Sequence, residues 1–283
     1  ALFFEKNNKA FARTFAIGLC FLMTFGPGFT QKAGQEQLQI SVIQPIDTNL
    51  NEIINMTKEA NSDLVVWPEA VALYDKTIID RIGEKNVIGG FFRQEGQDIY
   101  TSAINLETQH FHDKRNLVPF GEFQPFGDLL SSVNEFFNIP NSNLDRGAST
   151  QKKADWSALI CWELVFNNTF TKRARGTDYI IHMSNDMWYG DGMSEQHLKH
   201  ARMRAVESNK WVVRATIDGI SQIISPRTEE SSKKLDKKTK GSITHTITLN
   251  KKDTFYLKYG DMPLLILSIV FLAIGLFNRR YEK

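Results

Sequence analysis

The sequence predicts an α/β domain of layered sheets with helices outside, set between two apolar segments that read as membrane helices. Short apolar runs of strand length alternate with helical patterns through the middle of the chain. Alternation of this kind builds sheets whose faces are covered by helices. Uncharged stretches from Thr14 to Thr30 and from Met262 to Asn278 flank that region. Each is at the short end of the roughly 20 apolar residues that cross a bilayer.

Lys6, Lys9 and Arg13 precede the first uncharged stretch, and Arg279, Arg280 and Lys283 follow the second. Basic flanks favour the cytoplasmic side. Residues 1–13 and 279–283 are therefore expected in the cytoplasm, 14–30 and 262–278 as transmembrane helices, and 31–261 as one extracytoplasmic domain. The Pro-Gly-Phe-Thr-Gln-Lys run from Pro27 is a poor cleavage site, which argues against a removed signal peptide.

Within 31–261, strands are expected at Gln39–Gln44, Leu64–Trp67, Val87–Phe91, Ser157–Cys161 and Tyr179–Met183. Helical patterns cover Asn51–Asn61 and Lys76–Gly83. Ser194–Ser208 reads as a helix with Leu198, Ala201 and Ala205 on its apolar face. Trp211–Thr216 and Ile220–Ser225 flank Asp218-Gly219, a hairpin signal. No internal repeat is evident.

Net charge is +2, so the overall balance calls for no nucleic-acid partner. The lysines between Arg227 and Lys240 lack interleaved aromatics and read as a solvated loop. His182, His197 and His200 lack carboxylates at ligand spacing, and His110 and His112 are two apart in a strand-to-loop stretch, so no metal is expected; no cofactor is expected either. Of the two cysteines, Cys20 lies in the first uncharged stretch and Cys161 in the exported domain. Cys161 thus has no disulfide partner in its own domain, and it is a candidate nucleophile.

Three charged or nucleophilic sites stand at strand ends, where α/β folds place their chemistry. Trp67-Pro68-Glu69 presents a carboxylate just past a strand that Pro68 terminates. Lys114 begins a run ending in Leu117-Val118-Pro119-Phe120-Gly121-Glu122-Phe123. Ile160-Cys161-Trp162-Glu163 delivers a thiol into a turn.

Glu69, Lys114 and Cys161, in that order, resemble the catalytic triad of the nitrilase superfamily. The residues around them narrow the resemblance to the apolipoprotein N-acyltransferase family. It continues through Arg146-Gly147, Ser184-Asn185-Asp186-Met187-Trp188-Tyr189-Gly190, Gln196-His197-Leu198, Ala201-Arg202-Met203-Arg204-Ala205, Arg214-Ala215-Thr216 and Gly219-Ile220-Ser221. The resemblance implies an αββα sandwich. It also implies a fatty-acyl transfer from a membrane phospholipid, through a thioester on Cys161, to the N-terminal amine of a diacylglyceryl-cysteine lipoprotein. Under it Glu69 is the general base and Lys114 stabilises the oxyanion. Glu122, Glu163 and Trp162 support them. The implied location is the bacterial inner membrane with the catalytic domain on the periplasmic side. Phe123, Phe126, Phe136, Phe137, Trp188 and Tyr189 are candidate lipid contacts.

The sequence departs from the family pattern in three places. Trp162 stands where the family more often has tyrosine. The segment Gln44–Leu50 is short and lacks a tryptophan. One hydrophobic segment precedes the exported domain where the family has several, so the chain reads as a C-terminal portion or a shortened relative. The competing functional readings are a membrane-tethered amidase or acyltransferase of the same superfamily acting on another amine or amide, and a non-catalytic lipid- or lipoprotein-binding domain.

Overall fold

The computed structural model describes residues 36–123, 143–148, 154–188, 190–227 and 230–281; of residues 188, 191 and 274–281 only the backbone is described. Two sheets form the centre. The first has six strands in the order β10-β1-β2-β3-β4-β5: β1 (Gln37–Gln44), β2 (Leu64–Val66), β3 (Val87–Glu95), β4 (Asp98–Asn105), β5 (Phe111–Asp113) and β10 (Gly241–Thr248). The second has four in the order β6-β7-β8-β9: β6 (Trp156–Ile160), β7 (Tyr179–Asn185), β8 (Val212–Ile217) and β9 (Gln222–Ile224). β1, β2 and β3 run parallel, as do β6, β7 and β8; the outer strands pair antiparallel.

Side chains of a strand alternate between its two faces, and this alternation sorts the core into layers. Ile40, Val42, Leu64 and Val66 of the first sheet meet Ala158, Ile160, Ile181 and Val213 of the second in one cluster between the sheets. The intervening residues Val65 and Trp67 face outward, onto Ile53 of α1 (Leu50–Glu59) and Ile78 of α2 (Thr77–Ile82). On the other side, Leu159, Ile180 and Val212 pack on Phe170 of α3 (Asn167–Ala174) and on Leu198, Ala201 and Ala205 of α4 (Asp191–Ser208). The layers are therefore αββα, with the central strands β2, β6 and β8 buried on both faces, as parallel strands covered by helices are.

Local signals explain the boundaries. Asn49 caps α1 by accepting the Glu52 N–H at 3.3 Å. α4 ends at Asn209 in the left-handed conformation, which asparagine tolerates well. β8 and β9 form the hairpin that Asp218-Gly219 predicts, with Asp218 at φ 46°. The lysine-rich segment is loop, with Lys233, Lys234, Lys238 and Lys240 exposed.

The two expected membrane helices are not supported. Residues 14–30 lie outside those described. Residues 262–278 do fall in a helix, α6 (Met262–Tyr281), which follows the short α5 (Phe255–Tyr259). Among the described residues, however, no helix is long and apolar enough to cross a membrane. In α6 the side chains are described from Met262 to Ala273. Its apolar side chains are nonetheless solvent-exposed on every side, Leu264 by 67% and Leu272 by 64%.

Candidate active site

Glu69, Lys114 and Cys161 come together at one end of the two sheets, each from the residues that leave a strand. Glu69 follows β2 after Trp67 and Pro68. Trp67 is locked in the outer layer, where its indole N–H donates to Thr57 Oγ1 at 2.8 Å. Gly90 of the neighbouring strand lets this corner approach: a Cβ there would stand 2.3 Å from the Pro68 carbonyl oxygen and 2.6 Å from Glu69 Cα. Lys114 leaves β5, its N–H donating to Thr101 at 2.7 Å and its carbonyl accepting from Gly147 at 2.9 Å. Cys161 leaves β6 and opens a single 3₁₀ turn, Cys161–Val165. Its φ of 52° is left-handed, a conformation that non-glycine residues keep only where the surroundings enforce it.

The Lys114 ammonium is fully buried between two carboxylates. It donates to Glu69 Oε1 at 2.9 Å and to Glu122 Oε1 at 2.5 Å. The second oxygen of each carboxylate is tied to backbone: Glu69 Oε2 accepts from Asn185 N at 3.0 Å, and Glu122 Oε2 from Val118 N at 2.8 Å. Asn185 ends β7, so the Glu69 contact also joins the two sheets.

Glu163, wholly buried, ties the cysteine turn to the lysine loop. Its Oε2 accepts from Ile160 N at 3.1 Å, and its Oε1 from Arg115 N at 2.7 Å and Asn116 N at 3.3 Å. Arg173 of α3 adds a charged bond at 3.2 Å. Trp162 is partly buried and lies edge-on to His197, ring centroids 5.4 Å apart.

Burial and the surrounding charges set the protonation states. Burial raises the Cys161 thiol, repulsion from Glu69 adds to it, and Lys114 offsets only part, leaving it at about 12. Glu69 is also raised, chiefly by burial, with the attraction of Lys114 opposing. Burial disfavours the Lys114 cation, but Glu69, Cys161 and Glu122 together outweigh that and hold it well above the ordinary lysine value. The resting site is thus a thiol beside a carboxylate of elevated basicity and a fixed ammonium. That set can take a thiol proton at the moment of attack and stabilise an oxyanion.

A further buried network lies under the cysteine turn: His182, Arg214, Asp186, Ser184 and His197. In the sequence His182 stands out only by lacking carboxylates at metal-ligand spacing, and His197 by that and by its place in Gln196-His197-Leu198. The signal that finds the pair is register, since His182 and Arg214 are partners across parallel β7 and β8. Of the candidate lipid contacts, Phe123 is partly exposed under the Arg146 guanidinium, 4.7 Å from its ring centroid. Phe126, Phe136, Phe137, Tyr189 and the Trp188 side chain lie outside the described residues.

Comparison with known proteins identifies the family and the fold. The Carbon-nitrogen hydrolase family model matches residues 84–254, which include Lys114 and Cys161. An apolipoprotein N-acyltransferase of Haemophilus ducreyi is 34% identical over 259 residues, covering 82% of this chain and 51% of the relative. One from Shewanella oneidensis is 30% identical, covering 79% and 49%. The chain spans about half the length of these curated relatives. Among solved structures, Saccharomyces cerevisiae Nit3, a member of branch 10 of the nitrilase superfamily, superposes with a TM-score of 0.56 at 15% identity, covering 83% of this chain and 96% of that one. An amidase from Nesterenkonia sp. gives 0.56 at 15%, covering 84% and 97%. At that identity the likeness is one of fold, and it is the nitrilase fold. With the family model matched over 84–254 and Lys114 and Cys161 inside that span, the chain belongs to the carbon-nitrogen hydrolase family.

Proposed function

We propose that this chain carries the catalytic domain of an N-acyltransferase that moves a fatty acyl group from a phospholipid to the N-terminal amine of a diacylglyceryl-cysteine lipoprotein. The observation that carries the reading is the meeting of Glu69, Lys114 and Cys161 at one sheet end. The similarity to apolipoprotein N-acyltransferases supplies the substrate class.

In the first half-reaction the Cys161 sulfur attacks the ester carbonyl of the donor lipid while its proton passes to Glu69. The developing oxyanion is met by the Lys114 ammonium and by the Trp162 N–H. Collapse breaks the ester C–O bond, Glu69 returns the proton to the departing lysophospholipid oxygen, and a thioester remains on Cys161. In the second half the lipoprotein amine attacks that thioester. The amine proton goes to Glu69 and on to the cysteine sulfur, which leaves as the thiol, and an amide is formed. Glu122 holds the far side of Lys114, and Glu163 fixes the turn that carries Cys161.

Both substrates are lipids, and the exposed apolar residues of α6 are the surface we assign to the bilayer, since an all-round apolar helix is stable only in an apolar medium. The domain then works at the periplasmic face of the bacterial inner membrane. Incubating the full chain with labelled phosphatidylethanolamine and a diacylated lipopeptide should give a triacylated product. Transfer to small amines but not to the lipopeptide would instead favour an amidase or acyltransferase with another substrate.

A further inference from the structure

Beneath the cysteine turn, on the outer face of the second sheet, the proposed chemistry leaves a buried polar network without a task. Arg214 Nη1 stands 2.7 Å from His182 Nδ1, both side chains being fully buried. A guanidinium only donates, so Nδ1 accepts and the imidazole is neutral with its proton on Nε2. That Nε2–H faces the carbonyl oxygen of Cys161 at 3.2 Å. Burial, then the adjacent Arg214 charge, keep His182 well below the usual histidine range, so the neutral form persists.

Arg214 is itself immobilised. Its Nη2 donates to Asp186 Oδ2 at 2.8 Å and its Nε to the Ile220 carbonyl at 2.8 Å. Asp186 takes a further bond from Ser184 Oγ at 2.6 Å. Gly219 makes room for this, because a Cβ there would lie 2.4 Å from Asp186 Oδ2.

The carbonyl of Cys161 and the N–H of Trp162 belong to one peptide unit. That unit is planar and trans, so its C=O and N–H point in opposite directions. Holding the C=O towards His182 aims the N–H to the other side of the peptide unit, away from the histidine. The restraint answers a need, since Cys161 sits at φ 52°, a left-handed conformation that a non-glycine residue adopts only at a cost.

We propose that His182, locked by Arg214 and Asp186, is a positioning residue that aims the Trp162 N–H at the oxyanion formed when Cys161 is acylated. The inference rests on the acyl-transfer reading, in which Cys161 is the nucleophile.

Two reagents separate aiming from general damage. Acetylation by p-nitrophenyl acetate passes through an oxyanion: sulfur adds to the carbonyl, the thiol proton is lost to Glu69, and p-nitrophenolate leaves. Alkylation by iodoacetamide displaces iodide with no oxyanion. In the full chain carrying Cys20→Ala, His182→Ala should slow acetylation of Cys161 by about 100-fold or more, the usual loss for one oxyanion donor. Alkylation of Cys161 should be nearly unchanged. His182→Gln, whose amide can donate to the same carbonyl, should recover part of the acetylation rate. Equal loss in both reactions, or no loss in either, overturns the proposal while leaving Cys161 as nucleophile. If the parent protein is not acetylated at Cys161 at all, the acyl-transfer reading fails and this inference fails with it.

Discussion

Glu163 Oε1 accepts the backbone N–H of Arg115 at 2.7 Å, so a residue of the cysteine turn is bonded to the residue that follows Lys114. Its other oxygen holds Ile160, the residue before Cys161. One buried carboxylate therefore sets the distance between the thiol and the ammonium. Neither strand alone could do so, because β5 and β6 belong to different sheets.

Glu163→Gln should disturb that spacing. An amide keeps one acceptor oxygen and brings two donors into a site whose neighbours are donors. A buried donor left unsatisfied costs about 1–3 kcal/mol, which denaturant unfolding will read. Turnover should fall more than apparent substrate affinity, since the reacting groups move while the substrate surface does not. An unchanged unfolding midpoint would contradict this role.

Asp186→Asn should destabilise the fold by about 3–5 kcal/mol, the usual loss when one partner of a buried ion pair is removed. Arg214 would be left charged, with both side chains of the pair wholly buried at 2.8 Å. Asp186 is held below the usual carboxylate range: burial works against this, but the bond from His197 and the Arg214 charge prevail. Its contribution to stability is present above the ordinary aspartate pKa of 3.8 and is lost as pH falls through the depressed value. Melting of the parent and variant should therefore converge only in strong acid.

The acid limb of Cys161 acylation should lie above pH 4.5, the ordinary glutamate value, because Glu69 must be ionised to take the thiol proton and its pKa is raised. Single-turnover acylation measured against pH checks this. A limb at or below 4.5 would contradict it.

Glu69→Gln and Lys114→Met should each lower turnover more than about 100-fold, by different routes. Burial still holds the thiol up in Glu69→Gln although the Glu69 repulsion is gone, so raising pH increases the thiolate fraction about tenfold per unit below its pKa and should restore part of the acylation rate. Lys114→Met should not recover, because the oxyanion still lacks its cation. Rescue of Lys114→Met alone would reverse the two roles.

Gly90→Ala tests the corner that presents Glu69. The added methyl would meet the Pro68 carbonyl and Glu69 Cα, both rigid backbone, at 2.3 Å and 2.6 Å. Overpacking of this kind costs about 1–3 kcal/mol, and acylation should fall as Glu69 is displaced. Activity equal to the parent's would show that the corner yields without moving the carboxylate.

The sequence carries the two buried sheets well, because β2 and β6 are largely apolar, β7 and β8 open on Tyr179-Ile180-Ile181 and Val212-Val213, and β1 carries Leu38, Ile40, Val42 and Ile43. It hides β4, β5 and β10. β10, Gly-Ser-Ile-Thr-His-Thr-Ile-Thr, is an edge strand with one apolar face, and its two isoleucines give too little periodicity to stand out. α3 is equally obscure, being short and polar apart from Phe170 and Ala174. Glu69, Lys114 and Cys161 are legible through motif order, and their meeting follows from strand ends. The partnership of His182 with Arg214 is not, since it depends on the register of two strands separated by a whole helix. The terminal apolar stretches are legible as apolar. Among the described residues no helix is long and apolar enough to cross a membrane, so the apolar character of the second stretch does not by itself make it a span.

The central claim is that Cys161 carries the acyl group. The full chain, incubated with phospholipid and no acceptor amine, should gain the mass of one acyl chain on the peptide containing Cys161. Neutral hydroxylamine should remove it, and Cys161→Ala should never acquire it. An unmodified Cys161 alongside product formation, or substantial turnover by Cys161→Ala, would contradict the account.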